Sequence, residues 1–169
     1  MRTRQVLLIA TVLFLAVLIQ TTLLNRIPFP GTTPELLPVL VVVLAMLYGR
    51  IPGAVTGFSA GLLMDIAPPG NGPVGVSALI LVVVGFVAGA YTDARDRTLV
   101  IIISVMAGSS AALTFVTAAL ESILGSSRVS WDQLAGVTVA GVLYSVLLAP
   151  ILLALMGWAA RRLTPEAVG

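Results

Sequence analysis

Charged residues cut this chain into long apolar stretches. No charge interrupts Gln5 to Asn25, Ile66 to Thr92, Thr98 to Leu120 or Gln133 to Ala160. Each stretch exceeds the roughly 20 apolar residues that span a hydrocarbon core about 30 Å thick. Two shorter stretches, Leu36 to Gly49 and Ile51 to Met64, are separated by Arg50 alone. The pattern predicts six helices, over about residues 6–24, 34–48, 52–66, 74–91, 99–124 and 134–160.

Proline and glycine set the breaks between them. Pro28, Pro30 and Gly31 stop the first helix, because proline lacks the backbone donor that a helix interior needs. Pro34 and Pro38 fall in the first turns of the second helix, where that donor is not missed. The run Gly49-Arg50-Ile51-Pro52-Gly53 predicts a turn, and Pro68-Pro69-Gly70-Asn71-Gly72-Pro73 ends the third helix. At about 1.5 Å per residue the second and third helices are short for a full crossing and read as a tight hairpin. The sixth is about 40 Å long and needs tilt or a bend, with Pro150 as the expected kink. Arg2 and Arg4 ahead of the first stretch imitate a signal peptide, but the apolar run is too long and no small-x-small cleavage site follows it. The segment is expected to stay attached.

Composition sharpens this picture. Apolar residues make up 59% of the 169 and charged residues 9%, against about 25% charged in soluble proteins. So few charges cannot cover a water-soluble fold of this size. The expected class is an all-α, polytopic integral membrane protein with six transmembrane helices in one membrane domain, residues 1–169. Cysteine and histidine are absent, which removes thiolate chemistry, disulfides, imidazole catalysis and the usual zinc ligands. No catalytic constellation, metal site or cofactor is predicted, and an enzyme is not expected.

The net charge of +2 comes from arginines that flank apolar stretches, with no lysine at all. They are too dispersed to neutralise several phosphates, so nucleic acid is not an expected partner. They read instead as a topology signal, since positive residues in short loops stay cytoplasmic. With six spans and a cytoplasmic N-terminus, the inner side holds Arg2, Arg4, Arg50, Arg95, Arg97, Arg161 and Arg162, and the outer side only Arg26 and Arg128. Both termini are expected in the cytoplasm.

Few residues are candidates for function. Gly53, Gly57 and Gly61 recur every four positions, and Gly85 and Gly89 repeat the spacing. Such stripes let backbones approach, for packing within the chain or for contact with a partner. Asp65 closes the third helix and Glu121 lies near the end of the fifth. An acid inside a membrane segment is a functional hypothesis by default, while a structural role, holding the next loop or bonding a helix end, is the alternative. Nothing in the sequence brings the two acids together as an acid-base couple. The run Asp93-Ala94-Arg95-Asp96-Arg97 reads as a solvated loop, and Gln20, Thr21 and Thr22 as interfacial polarity. Trp131 and Trp158 fit aromatic anchors at helix boundaries.

Three stretches carry a family resemblance: Gln20-Thr21-Thr22-Leu23, Pro34-Glu35-Leu36-Leu37, and Gly53-x3-Gly57-Phe58-x2-Gly61-Leu62-Leu63-x-Asp65 followed by Gly75-x2-Ala78-Leu79. Their order resembles MreD, the small polytopic subunit of the bacterial rod-shape or cell-elongation machinery. The likeness covers roughly residues 20 to 90, and the second half agrees in hydropathy and length. The resemblance implies a non-catalytic subunit of the bacterial cytoplasmic membrane that maintains cell shape. It would bind MreC and help connect MreB filaments to the peptidoglycan glycosyltransferase and transpeptidase. It also implies a six-helix arrangement similar to the substrate-binding subunits of energy-coupling-factor transporters. That likeness supplies an alternative function, a small-molecule-binding transporter subunit. Membrane lipid is the other expected partner, and Phe58 joins the glycines as a candidate contact residue.

Overall fold

The computed structural model describes residues 3–22, 24, 35–67, 74–91, 99–123 and 131–163. They form six α-helices: α1 (Thr3–Thr22), α2 (Leu36–Tyr48), α3 (Arg50–Ile66), α4 (Val76–Ala88), α5 (Leu99–Ile123) and α6 (Trp131–Leu163). A 3-10 turn, Gly89–Tyr91, continues α4. No strand occurs among the described residues, so the chain is all-α.

The turn expected over Gly49 to Gly53 is a single residue. Gly49 sits at φ 95° and serves as the last cap of α2 and the first of α3, a conformation that side-chain-bearing residues rarely adopt. Its N–H donates to Ala45 O at 2.8 Å, and its carbonyl accepts from Gly53 N at 2.9 Å. The helical ladder of α3 therefore starts at Gly53. Pro52 precedes that first bond, where no donor is needed, so it falls inside α3 rather than in a loop.

Every residue of α2 is buried. The helix touches α1, α3, α4, α5 and α6, and the other five stand around it. A helix that is apolar on all sides satisfies every neighbour of such a central position. In contrast, α1, α4, α5 and α6 each keep large apolar side chains on the outside. On α6 these are Val139, Leu143, Leu147, Ile151, Leu155 and Trp158, one every three or four residues. They fall on one side of the helix, and against water so long an apolar face would be anomalous. Two segments among the described residues, Thr3–Thr22 and Ala135–Arg162, are long and apolar enough to cross a membrane by length and composition, while α2, α4 and Val100–Val116 are shorter apolar helices. These features are compatible with a membrane protein.

Contacts between elements set the direction of the first four helices and join the last two. Gln20 near the end of α1 meets Leu36 at the start of α2, Gly53 and Gly57 of α3 face Gly85 and Leu81 of α4, and Ser110 of α5 meets Ser145 of α6. The first two pairs are antiparallel, and the single-residue turn at Gly49 reverses α2 into α3. One end of this four-helix group therefore gathers the start of α1 and the α2–α3 turn, with Arg4 and Arg50 exposed; Arg161 and Arg162, at the end of α6, are exposed too. The opposite end gathers the α1–α2 and α3–α4 junctions.

Pro150 lies within α6, which runs 33 residues, about 50 Å, without a break in helical assignment. Having no N–H, it leaves the Val146 carbonyl without its usual partner.

Candidate functional site

The glycine stripe of α3 faces α4. A side chain at Gly53 would strike the carbonyl oxygen of Gly85, one at Gly57 the carbonyl of Leu81, and one at Gly61 the Cα of Ala78. From the other side, a side chain at Gly85 would strike the Gly53 carbonyl, and one at Gly89 would lie 2.5 Å from the Gly49 carbonyl carbon. The pairs 49/89, 53/85, 57/81 and 61/78 form an antiparallel ladder with a glycine in every pair. Close backbone contact of this kind is how helices associate where lipid removes the hydrophobic drive. Gly53 also abuts Ala45 of α2, and Gly85 abuts Val41, so the seam continues into the central helix.

Phe58 belongs to the same motif but not to the seam. Its side chain is 53% exposed on the outer face of α3, next to Gly57, which is buried. The motif thus presents one face to α4 and another outward.

Asp65 closes the end of this unit. Its Oδ2 accepts a hydrogen bond from Gly75 N at 2.7 Å, across the whole α3–α4 connection. Gly75 is the N-cap of α4 at φ 103°, and its carbonyl accepts from Leu79 N at 3.0 Å. The carboxylate therefore satisfies a backbone donor at the start of α4 and carries negative charge where the helix dipole is positive. If the acceptor is what matters, Asp65→Ala should lower stability by about 1–2 kcal/mol, whereas Asp65→Asn, which keeps an amide oxygen, should lose about half of that or less. Unfolding midpoints in detergent distinguish the two. Equal losses would place the effect in the charge instead.

A second bond of the same kind lies at this end. Gln20 Oε1 accepts from Leu36 N at 3.1 Å, supplying a partner for the first donor of α2 that the preceding Glu35 side chain does not provide. Thr21 Oγ1 donates to Val17 O at 2.8 Å, and Thr22 Oγ1 donates to the Leu18 carbonyl, so both threonines serve their own helix. Two of the three family-like stretches thus meet directly through Gln20 and Leu36. The third is closed at the same end by Asp65. Gln20 reads from sequence only as interfacial polarity. Its partner lies 16 residues away, beyond the reach of local pattern.

Between α5 and α6, Ser110 Oγ and Ser145 Oγ lie 2.9 Å apart, both buried. Ser145 Oγ donates to Gly141 O at 2.8 Å, which leaves Ser110 as the donor within the pair. Among the described residues no group of His, Cys, Asp or Glu could hold a metal ion. Glu121 lies in the last turn of α5, and its side chain is outside the described residues, as are Arg2, Arg95 and Arg97. Asp65 and Glu121 are therefore not brought together by anything described.

Two arginines at helix ends lie over aromatic rings, Arg50 over Phe86 at 5.9 Å from the ring centre and Arg162 over Trp158 at 5.0 Å. In each pair the aromatic ring lies outside the core, with Trp158 53% exposed.

Compared with protein families, characterised proteins and solved structures, the chain matches none.

Proposed function

We propose that this chain is a non-catalytic, six-span subunit of the bacterial cytoplasmic membrane, serving the cell-elongation machinery in the manner of MreD. In this reading it binds MreC and helps couple MreB filaments to peptidoglycan synthesis, with both termini in the cytoplasm. The observation that carries the reading is the unit made by residues 53–79. Its glycines seal α3 to α4, Asp65 locks the connection, and Phe58 is left projecting outward from the same motif. An outward aromatic on the same motif offers a partner helix a surface beside the seam. Exposed Arg4 and Arg50 at one end of the first four helices support the orientation, because cations flanking short loops remain inside. The similarity to the six-helix subunits of energy-coupling-factor transporters belongs to this proposal as well.

The test is copurification. Tagged protein extracted in a mild detergent should retain MreC, and Phe58→Ala should reduce recovery several-fold while leaving the unfolding midpoint within about 0.5 kcal/mol, as for other exposed substitutions. Retention of a specific small molecule together with an ATP-driven module, and no MreC, would replace this reading by the transporter one.

A further inference from the structure

We infer that the outer face of α6 is a binding track for one acidic phospholipid, with Arg162 holding the phosphate. The inference rests on the reading of the chain as membrane-spanning. From Leu147 through Ile151 and Leu155 to Trp158, the exposed side chains follow one another along a single side of the helix. These 11 residue steps rise about 16 Å, half of a hydrocarbon core about 30 Å thick. The track is therefore as long as one leaflet is deep. Arg162 lies one turn beyond Trp158 on the same side, above the level where the acyl chains end.

The chemistry at that end selects an anion. The Trp158 ring holds the Arg162 guanidinium by a cation–π contact at 5.0 Å, which restrains a side chain that would otherwise sample many rotamers. Arg162 is exposed, and a guanidinium binds a phosphate in a paired, two-point geometry. The neighbouring Arg161 reaches back over Gly157 instead, its guanidinium 3.7 Å from the Cβ position there. Its charge adds to the local potential without occupying the track. The last turn of α6 contains these two arginines and no acid, which outweighs the partial negative charge of a helix C-terminus. A headgroup with a net negative charge fits this end, whereas one that adds a choline or ethanolamine cation meets two arginines.

The experiment uses the full chain with Trp131→Phe, leaving Trp158 as the only tryptophan of the two. It is reconstituted in vesicles of phosphatidylcholine and phosphatidylglycerol in which one or the other lipid carries brominated acyl chains, which quench a ring in contact with them. Brominated phosphatidylglycerol should quench Trp158 at least two-fold more than its share of the lipid predicts. Arg162→Gln should abolish the preference, and Arg162→Lys, which keeps the charge but not the planar fork, should retain part of it. Equal quenching by both lipids, or a preference that survives Arg162→Gln, would overturn the site while leaving the membrane reading intact. Blue-shifted emission quenched by neither lipid would also overturn it, by showing the track covered with protein. Red-shifted emission quenched by neither would place Trp158 in water and overturn the membrane reading itself.

Discussion

Gly57→Leu is expected to prevent the bundle from folding, and Gly57→Ala to destabilise it by about 1–3 kcal/mol, the usual range for overpacking. A Cβ on residue 57 would meet the carbonyl oxygen of Leu81 and lie 2.5 Å from its carbonyl carbon. The obstacle is backbone, so no rotamer change relieves it. The two helices would have to separate, and separation at the middle of the seam also loosens the contacts at 53/85 and 61/78. Gly108→Ala and Gly136→Ala provide the comparison, since a Cβ at either position meets nothing within 4 Å. Alanine favours the helix over glycine by up to about 1 kcal/mol, so these variants should be neutral or more stable. Size-exclusion profiles and unfolding midpoints in detergent separate the two classes. A normally folded Gly57→Leu protein would mean that α3 and α4 do not meet at this seam.

That contrast shows what the sequence makes legible and what it leaves hidden. Spacing of four placed Gly53, Gly57 and Gly61 on one side of α3, because side chains four apart share a helix face. It could not say what that side meets. The partner and the register come from the connection through residues 67–75 and its closure by Asp65 on Gly75, a contact between positions ten apart. The motif glycines and the acid were therefore readable as residues, and their joint product, a sealed helical hairpin, was not. Gly108 and Gly136 are helical glycines too, yet face open space.

The position of α2 was hidden for a different reason. In a soluble protein, burial announces itself through hydrophobicity. In a chain whose outer faces are also apolar, Leu147 on the outside and Leu44 at the centre are the same residue type in opposite places. Hydropathy then finds helices and fails to order them. The shortness of α2 is legible in the sequence, but that all thirteen of its residues are buried, making it the helix the others surround, is not. The turn at Gly49 is shorter than the sequence predicts because Pro52, which suggests a break, stands one residue before the first ladder bond, Gly53 N to Gly49 O, and so breaks nothing.

Hydropathy's failure to tell inside from outside also defines the second large effect. Leu147→Arg and Ile151→Arg are each expected to impair insertion of α6 by about 2.5–3.5 kcal/mol, the penalty for a cation near the centre of a membrane helix. Both residues are largely exposed, at 60% and 63%. In a water-facing protein, exposed positions tolerate substitution within about 0.5 kcal/mol, so arginine there would be neutral and would improve solubility. Leu155→Arg should be milder than either, because it lies two turns from Arg162 and its side chain can reach toward the headgroups. The graded order, severe at 147 and 151 and mild at 155, follows from depth and from nothing else that these positions share. Insertion assays with a glycosylation reporter in α6, or yields of membrane-extracted protein, give that order directly. Neutral effects at all three positions would mean that the outer face of α6 does not meet lipid. The apolar track would then have to be covered by protein, and the phospholipid proposed at Arg162 would have no surface on which to bind.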